Sequence, residues 1–146
     1  MSQHLMLVPS LGCPANCSYC FGPHKQGPVM SIEIVQAIVK WLRNNDSKSS
    51  LEITFHGGEP LIAGAEFYRT TLPLLRKGLA PKKIRFTIQS NLWLLNDELC
   101  EIFREHNVSI GTSLDGPKEI TDEQRGPGYF RRTMEGIELA EKYGLP

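Results

Sequence analysis

Three of the four cysteines, Cys13, Cys17 and Cys20, fall within the eight residues "CPANCSYC", in the spacing C-x3-C-x2-C. The fourth, Cys100, lies eighty residues further on. Thiols at this density have few uses. As buried small hydrophobes they would need apolar neighbours, whereas Gly12, Pro14, Asn16 and Gly22 around them are residues of a loop. A structural zinc site takes four ligands, commonly from paired C-x2-C knuckles. This chain has one such pair, and His24 is the candidate for a fourth ligand. A four-thiolate [4Fe–4S] centre would have to recruit Cys100, which sits beside the apolar positions of "NDELCEIFREH" and reads as core packing. The remaining arrangement is a cubane held by three thiolates. Its fourth iron has no protein ligand and can take a small molecule, as the open position of a catalytic zinc does.

Such a loop needs a frame to hold it. "HLMLVP" reads as a short strand, broken by Gly12 and Pro14 where the cysteines begin. Ser31 is placed to cap a helix in which Ile34, Val35, Ile38, Val39 and Leu42 recur at helical spacing. "SLEITFHGG" is a second strand, ended by Gly57 and Gly58. In "AEFYRTTLPLLRKGL", Phe67, Thr71, Leu74 and Leu75 share a helical face, and Pro73 is expected to kink or split it. "KKIRFTIQSN" is a third strand with Ile84, Phe86 and Ile88 on one side, followed by a helix with Leu99, Ile102 and Phe103 inward. "VSIGTSLDG" is a fourth strand, and the last helix carries Phe130, Met134 and Ile137 as its stripe, with Gly144 after its end.

The order is β-α four times over, without hairpin signals, which predicts an α/β fold: a parallel sheet with right-handed crossovers. In such sheets ligands bind at the C-terminal strand ends. The cysteine loop, "HGGEP", "QSN" and "SLDG" all follow strands and are expected to meet at one mouth. The lone His56 reads as a hydrogen-bonded structural group and carries no assignment.

The 16 basic and 16 acidic residues of the 146 give no net charge, which argues against nucleic acid or an anionic membrane as partner. No apolar run approaches the ~18–20 residues of a membrane span, and no signal-peptide pattern opens the chain. A cytoplasmic, reducing location is expected, where clustered cysteines suit metal or redox chemistry better than disulfides.

The C-x3-C-x2-C spacing with Tyr19 before its last cysteine resembles the signature of the radical S-adenosylmethionine (SAM) superfamily. The resemblance implies that Cys13, Cys17 and Cys20 hold a [4Fe–4S] cluster whose open iron chelates the amino and carboxylate groups of SAM. An electron then cleaves SAM and releases a 5′-deoxyadenosyl radical that abstracts a hydrogen atom from substrate. "GGEP" is similar to the family's GGE motif, which implies Gly57, Gly58 and Glu59 at the methionyl end of SAM, with Glu59 accepting from its ammonium. "TIQSN" and "SLDGPKEITDEQRG" resemble the "QTNG" and "SLDGP…D…R" segments of anaerobic sulfatase-maturating and related peptide-modifying (SPASM-type) enzymes. By position this places Gln89, Asn91, Ser113 and Asp115 at SAM and its ribose, and Arg125 at its carboxylate. The chain departs from that pattern with Ser90 for threonine and Leu92 for glycine, so the backbone after Asn91 is expected to run differently.

The resemblance covers Leu7 to about Tyr143 and implies a single core domain, residues 1–146. Four β-α units are visible of the six in a radical SAM partial TIM-type barrel, and no cysteines remain for an auxiliary-cluster domain. The implied activity is oxidation of a Cys or Ser side chain on a peptide or protein substrate, such as a sulfatase. A flavodoxin or ferredoxin would donate the electron. No catalytic acid or base is identified. The alternative is a non-catalytic subunit that binds cluster and SAM and needs a partner to complete the barrel. The outer edge of the fourth strand is expected to lack a backbone partner, and the sheet's inner face to be apolar, so self-association is also expected.

Overall fold

The computed structural model describes residues 3–22, 26–45 and 49–146. His24, the zinc-ligand candidate, lies outside them. Four strands, β1 (Gln3–Ser10), β2 (Ser50–Gly57), β3 (Lys83–Gln89) and β4 (Val108–Gly111), form one parallel sheet in sequence order. Helices α1 (Ile32–Asn45), α2 (Gly64–Gly78) and α3 (Asp97–Glu105) make the crossovers. A 3₁₀ turn (Pro60–Ala63) leads into α2, and α4 (Lys118–Arg125) and α5 (Tyr129–Lys142) follow β4. The sheet stays open after four strands, as expected of a partial barrel.

The parallel register lines side chains up in rows. Leu5, Ile53, Phe86 and Val108 are successive partners across the four strands, as are Leu7, Phe55, Ile88 and Ile110. These rows face the helices, and most of their members are fully buried. Tyr68 of α2 stands edge-on to Phe55, Phe67 and Phe103, with ring centroids 5.2–5.3 Å apart. Its hydroxyl donates to the Pro60 carbonyl at 2.7 Å, so its polar end is satisfied inside the core.

The alternate rows correct one expectation. Met6, Thr54, Thr87 and Ser109 form one row, and His4, Glu52 and Arg85 another. The open face is therefore largely polar. Thr54 bonds Thr87 at 2.6 Å and His4 Nε2 at 2.8 Å. The strict two-residue alternation of a strand put Ile53, Ile84, Ile88, Val108 and Ile110 onto the helix side. The outer edge of β4 also differs, because the Ile110 amide donates to the Pro146 carbonyl at 2.6 Å.

Three helical expectations change as well. Helix α2 continues through Pro73. The carbonyl deprived of a partner there belongs to exposed Arg69, where water can reach it, while Leu72 and Leu75 anchor the flanking turns. Helix α4 was not foreseen; it buries only Thr121 and so shows almost no apolar stripe. On α5 the buried stripe is Tyr129, Thr133, Gly136 and Ala140, one residue out of phase with Phe130, Met134 and Ile137. The shift follows from close approach, since α5 lies with Gly136 directly on the backbone of Leu92. No helix among the described residues is long and apolar enough to cross a membrane.

The Gly136 contact gives a test with opposed signs. In an exposed helix, Gly→Ala stabilises by roughly 0.5–1 kcal/mol. Here the added methyl would meet the Leu92 carbonyl oxygen at 2.8 Å and its Cβ closer still, and overpacking costs about 1–3 kcal/mol. Gly136→Ala is therefore expected to lower stability in urea denaturation. A gain would show that α5 does not sit this tightly.

Candidate active site at the C-terminal strand ends

The loops after β1, β2, β3 and β4 meet, as the strand order requires. Cys13, Cys17 and Cys20 line a cavity of about 210 Å³ together with Tyr19, Gly58, Glu59, Gln89, Asn91, Ser113 and Arg125. Gly57 and Asp115 stand next to this lining. Cys100 is fully buried in the core under α3, away from the cavity. Five further residues line it that the sequence did not assign, Ala15, Phe21, His56, Ser90 and Tyr129. His56 was signalled by its position at a strand end. Tyr129 belongs to a helix whose phase was misread.

The glycine pair seats the cysteine loop. The Gly58 amide donates to the Ser10 carbonyl at 3.1 Å and the Glu59 amide to the Gly12 carbonyl at 2.6 Å. A Cβ on Gly58 would strike the carbonyls of Leu11 and Gly12, and Gly57 sits at φ 127°. No other residue type fits both positions without displacing the loop.

Glu59 is 1 % exposed. Its Oε1 accepts from the Leu61 amide at 3.0 Å and the Ser90 hydroxyl at 2.7 Å, and its Oε2 from the Asn91 amide at 2.9 Å. Burial pushes its carboxyl above the usual range against the pull of these three donors. A carboxylate offers about four acceptor positions, so one remains for a donor in the cavity. Ser90, in place of threonine, keeps the hydroxyl that this network uses. Leu92, in place of glycine, adopts φ 66°, the left-handed conformation glycine favours. Leu92 thus stands in a conformation that a glycine would adopt without strain.

Polar side chains from different loops also bind one another. Gln89 Nε2 donates to Ser113 Oγ at 2.8 Å. Arg125 grips Asp115 with two donors, Nε to Oδ2 at 2.6 Å and Nη2 to Oδ1 at 3.0 Å. The Tyr19 hydroxyl donates to the same carboxylate at 3.0 Å, and the guanidinium lies 5.4 and 5.1 Å from the Tyr19 and Tyr129 rings. Ser18 adds a backbone bond to the Gln124 carbonyl at 2.8 Å. The last turn of α4 thus clamps the cysteine loop. Of the residues that the resemblance assigns to ribose and carboxylate, all but Asn91 are paired with each other.

Burial pushes the Cys13 thiol up, and likewise that of Cys17, where Arg125 pulls back. A positive partner would favour the thiolate forms here, and an iron–sulfur cluster would supply one. No group of three His, Cys, Asp or Glu among the described residues is placed to hold a single metal ion. A cubane asks for something else, one thiolate on each of three separate irons, and the three cysteines spread along one cavity wall fit that demand.

Two measurements check these assignments. Glu59→Gln turns amide hydrogens toward donors, and hydrogen bonds to a charged group are worth about 1.5–3 kcal/mol; a loss of that order is expected in urea denaturation. The Arg125 pair and the Tyr19 bond hold the Asp115 carboxyl below the usual range, Arg125 most strongly and against a smaller opposing burial effect. Stability from a lowered carboxyl is present above its unfolded value, about 3.9, and is lost as pH falls through the folded one. The stability gap between wild type and Asp115→Asn, about 1 kcal/mol, is expected to hold steady down to about pH 4 and close below it. A gap constant to pH 2 would refute the pairing.

Comparison with known proteins places the chain in a family. Residues 7–146 match the model of the radical SAM superfamily. A protein of Methanothermobacter thermautotrophicus is 52% identical over 99% of this chain and 55% of its own length. A serine-type anaerobic sulfatase-maturating enzyme of Bacteroides thetaiotaomicron is 36% identical over 91% of this chain and 35% of its own. The solved structure of anSMEcpe with bound AdoMet and Cp18Cys peptide superposes with a TM-score of 0.87, at 31% identity, over 99% of this chain and 41% of that one. The chain thus spans about a third to a half of the length of the relatives it matches. With three cysteines, a GGE turn and a parallel sheet in the matched order, the chain belongs to the radical SAM superfamily.

Proposed function

We propose that residues 1–146 form one radical SAM core domain. It would bind a [4Fe–4S] cluster through Cys13, Cys17 and Cys20 and take SAM beside it, for oxidation of a Cys or Ser side chain on a peptide such as a sulfatase. The observation that carries this is the convergence of the three thiols with Glu59 and the β3 and β4 loops on one cavity. When bound, cluster and SAM together supply a 5′-deoxyadenosyl radical on receipt of one electron. The chain's own residues bind and orient. Gly57 and Gly58 seat the cysteine loop on β2. Glu59 has one acceptor position left for an ammonium. Tyr19 offers a half-exposed ring beside the thiols. Gln89, Ser113, Asp115 and Arg125 supply the polar wall for a ribose and a carboxylate, and Asn91 closes it on the side of Cys13. That anSMEcpe has been solved with AdoMet and a peptide bound supports the same ligand classes here. A reduced flavodoxin or ferredoxin in the cytoplasm is the proposed electron source.

The open sheet favours a second reading. The polar face of β1–β4 has no cover among the described residues, and a subunit of this shape would hold cluster and SAM while another polypeptide, or a second copy, completes the barrel. Anaerobic reconstitution separates the two. A visible spectrum that responds to SAM, with 5′-deoxyadenosine formed under dithionite, supports the enzyme. A SAM response without turnover supports the subunit, and a chain that takes up no cluster sinks both.

The ligand set itself is open to test. Cys13→Ala, Cys17→Ala and Cys20→Ala are each expected to lose most of the iron, since a cubane with two protein ligands is labile. Cys100→Ala should keep it. Burial holds the Cys100 thiol up at about 11, and its truncation should cost roughly 1 kcal/mol. Equal iron loss from Cys100→Ala and Cys17→Ala would overturn the three-ligand assignment.

A further inference from the structure

Asn91 is 7 % exposed and every polar group it carries is used. Its amide N–H goes to Glu59 Oε2 at 2.9 Å, its carbonyl accepts from Thr133 Oγ1 at 3.1 Å, and its side-chain Oδ1 accepts from the Trp93 amide at 3.0 Å. These three bonds fix the side-chain amide in one orientation. What remains is Nδ2, and it points at Cys13 Sγ, 3.8 Å away. Cys17 and Cys20 have no such side-chain donor among the bonds of the described residues. Thr133 is itself held by Trp93 Nε1 at 3.1 Å, so the arrangement is braced from α5 as well as from β2.

We infer that Asn91 sets the reduction potential of the cluster by donating a hydrogen bond from Nδ2 to the Cys13 sulfur. The inference rests on the proposed cluster reading and deepens it. When the cluster takes up one electron from an external reductant, no bond forms or breaks, and the added negative charge is spread over iron and sulfur, thiolate sulfur included. A fixed N–H dipole aimed at that sulfur stabilises the reduced form more than the oxidised one. Hydrogen bonds to the sulfurs are among the factors that set these potentials, and outer donors of this kind are what orient and tune metal ligands. Asn91 is thereby a positioning and tuning residue, and its amide is committed to the cysteine side of the cavity, not to a ribose.

The test is an EPR-monitored redox titration of the anaerobically reconstituted full chain, as wild type, Asn91→Leu and Asn91→Asp. At the potential where the wild type is half reduced, the ratio of reduced to oxidised cluster is expected to fall by about threefold or more in Asn91→Leu. It should fall further in Asn91→Asp, which keeps the Oδ1 bond to Trp93 but replaces the donor by a charge. Equal potentials in the three proteins, or a higher one in Asn91→Leu, would overturn the inference. Should either variant fail to fold or load, wild type carrying side-chain ¹⁵N-asparagine decides alone. Pulsed EPR of the reduced cluster should show a ¹⁵N coupling, and its absence counts against Asn91. A wild-type chain that loads no cluster fails the underlying reading, whereas a loaded cluster without this coupling fails the inference only.

Discussion

The site is organised by one buried carboxylate. Removing a carboxylate from water costs several kcal/mol, and Glu59 is nearly inaccessible. Its three donors, at 1.5–3 kcal/mol each, roughly offset that cost. The net contribution to stability is therefore modest, and the main consequence is geometric. The donors come from the turn after β2 and from two successive residues after β3. The Glu59 amide meanwhile holds Gly12 in the cysteine loop. One residue thus fixes three of the four loops relative to each other before any ligand arrives.

The parts of this that were legible in the sequence are those with local causes. Strand and helix periodicity depends on neighbours a few residues apart, so the four β-α units could be read. Cys13, Cys17 and Cys20 announce themselves by spacing, and Cys100 by its place on an apolar helix face. The loops could be assigned to one mouth because parallel topology puts all strand C-termini on one side. Errors arose where tertiary contact overrode pattern. The phase of α5 was set by Gly136 meeting Leu92, a contact with no trace in the periodicity of either segment. The open face was taken as apolar because strand residues were counted as a set; alternation sends Ile53 and Phe55 one way and Thr54 the other.

Pairing among polar residues was the least legible. Gln89, Ser113, Asp115 and Arg125 were each placed at a ligand by the resemblance of their segments to a family pattern, which says nothing of how they pair with one another. In the fold, Gln89 meets Ser113 and Arg125 meets Asp115. These groups satisfy one another, and the pairs keep each loop in place. Leu92 shows the opposite case. The residue departs from a glycine pattern, yet the fold imposes the left-handed φ regardless, because Leu92 is buried. Burying a leucine is worth about 1.5–3 kcal/mol, against the 1–2 kcal/mol of that conformation.

The Arg125–Asp115 pair then raises the question of how a carboxylate ligand could enter. The pair is partly exposed, with side-chain accessibilities of 15% and 26%. A pair of this kind contributes on the order of 1 kcal/mol, about fivefold in an equilibrium, which a ligand making several charge-assisted bonds can overcome. Its displacement has a cost beyond the pair. Asp115 also holds the Tyr19 hydroxyl, and Arg125 lies over the Tyr19 ring. A ligand that took Arg125 from Asp115 would loosen the α4 clamp on Tyr19, whereas the bonds of Glu59 involve no residue of α4. The cysteine loop would then hang on β2 through Gly58 and Glu59. The two ties are therefore not redundant: the Glu59 tie is buried and joins the cysteine loop to the turns after β2 and β3, while the Arg125–Asp115 tie is partly exposed and joins it to α4.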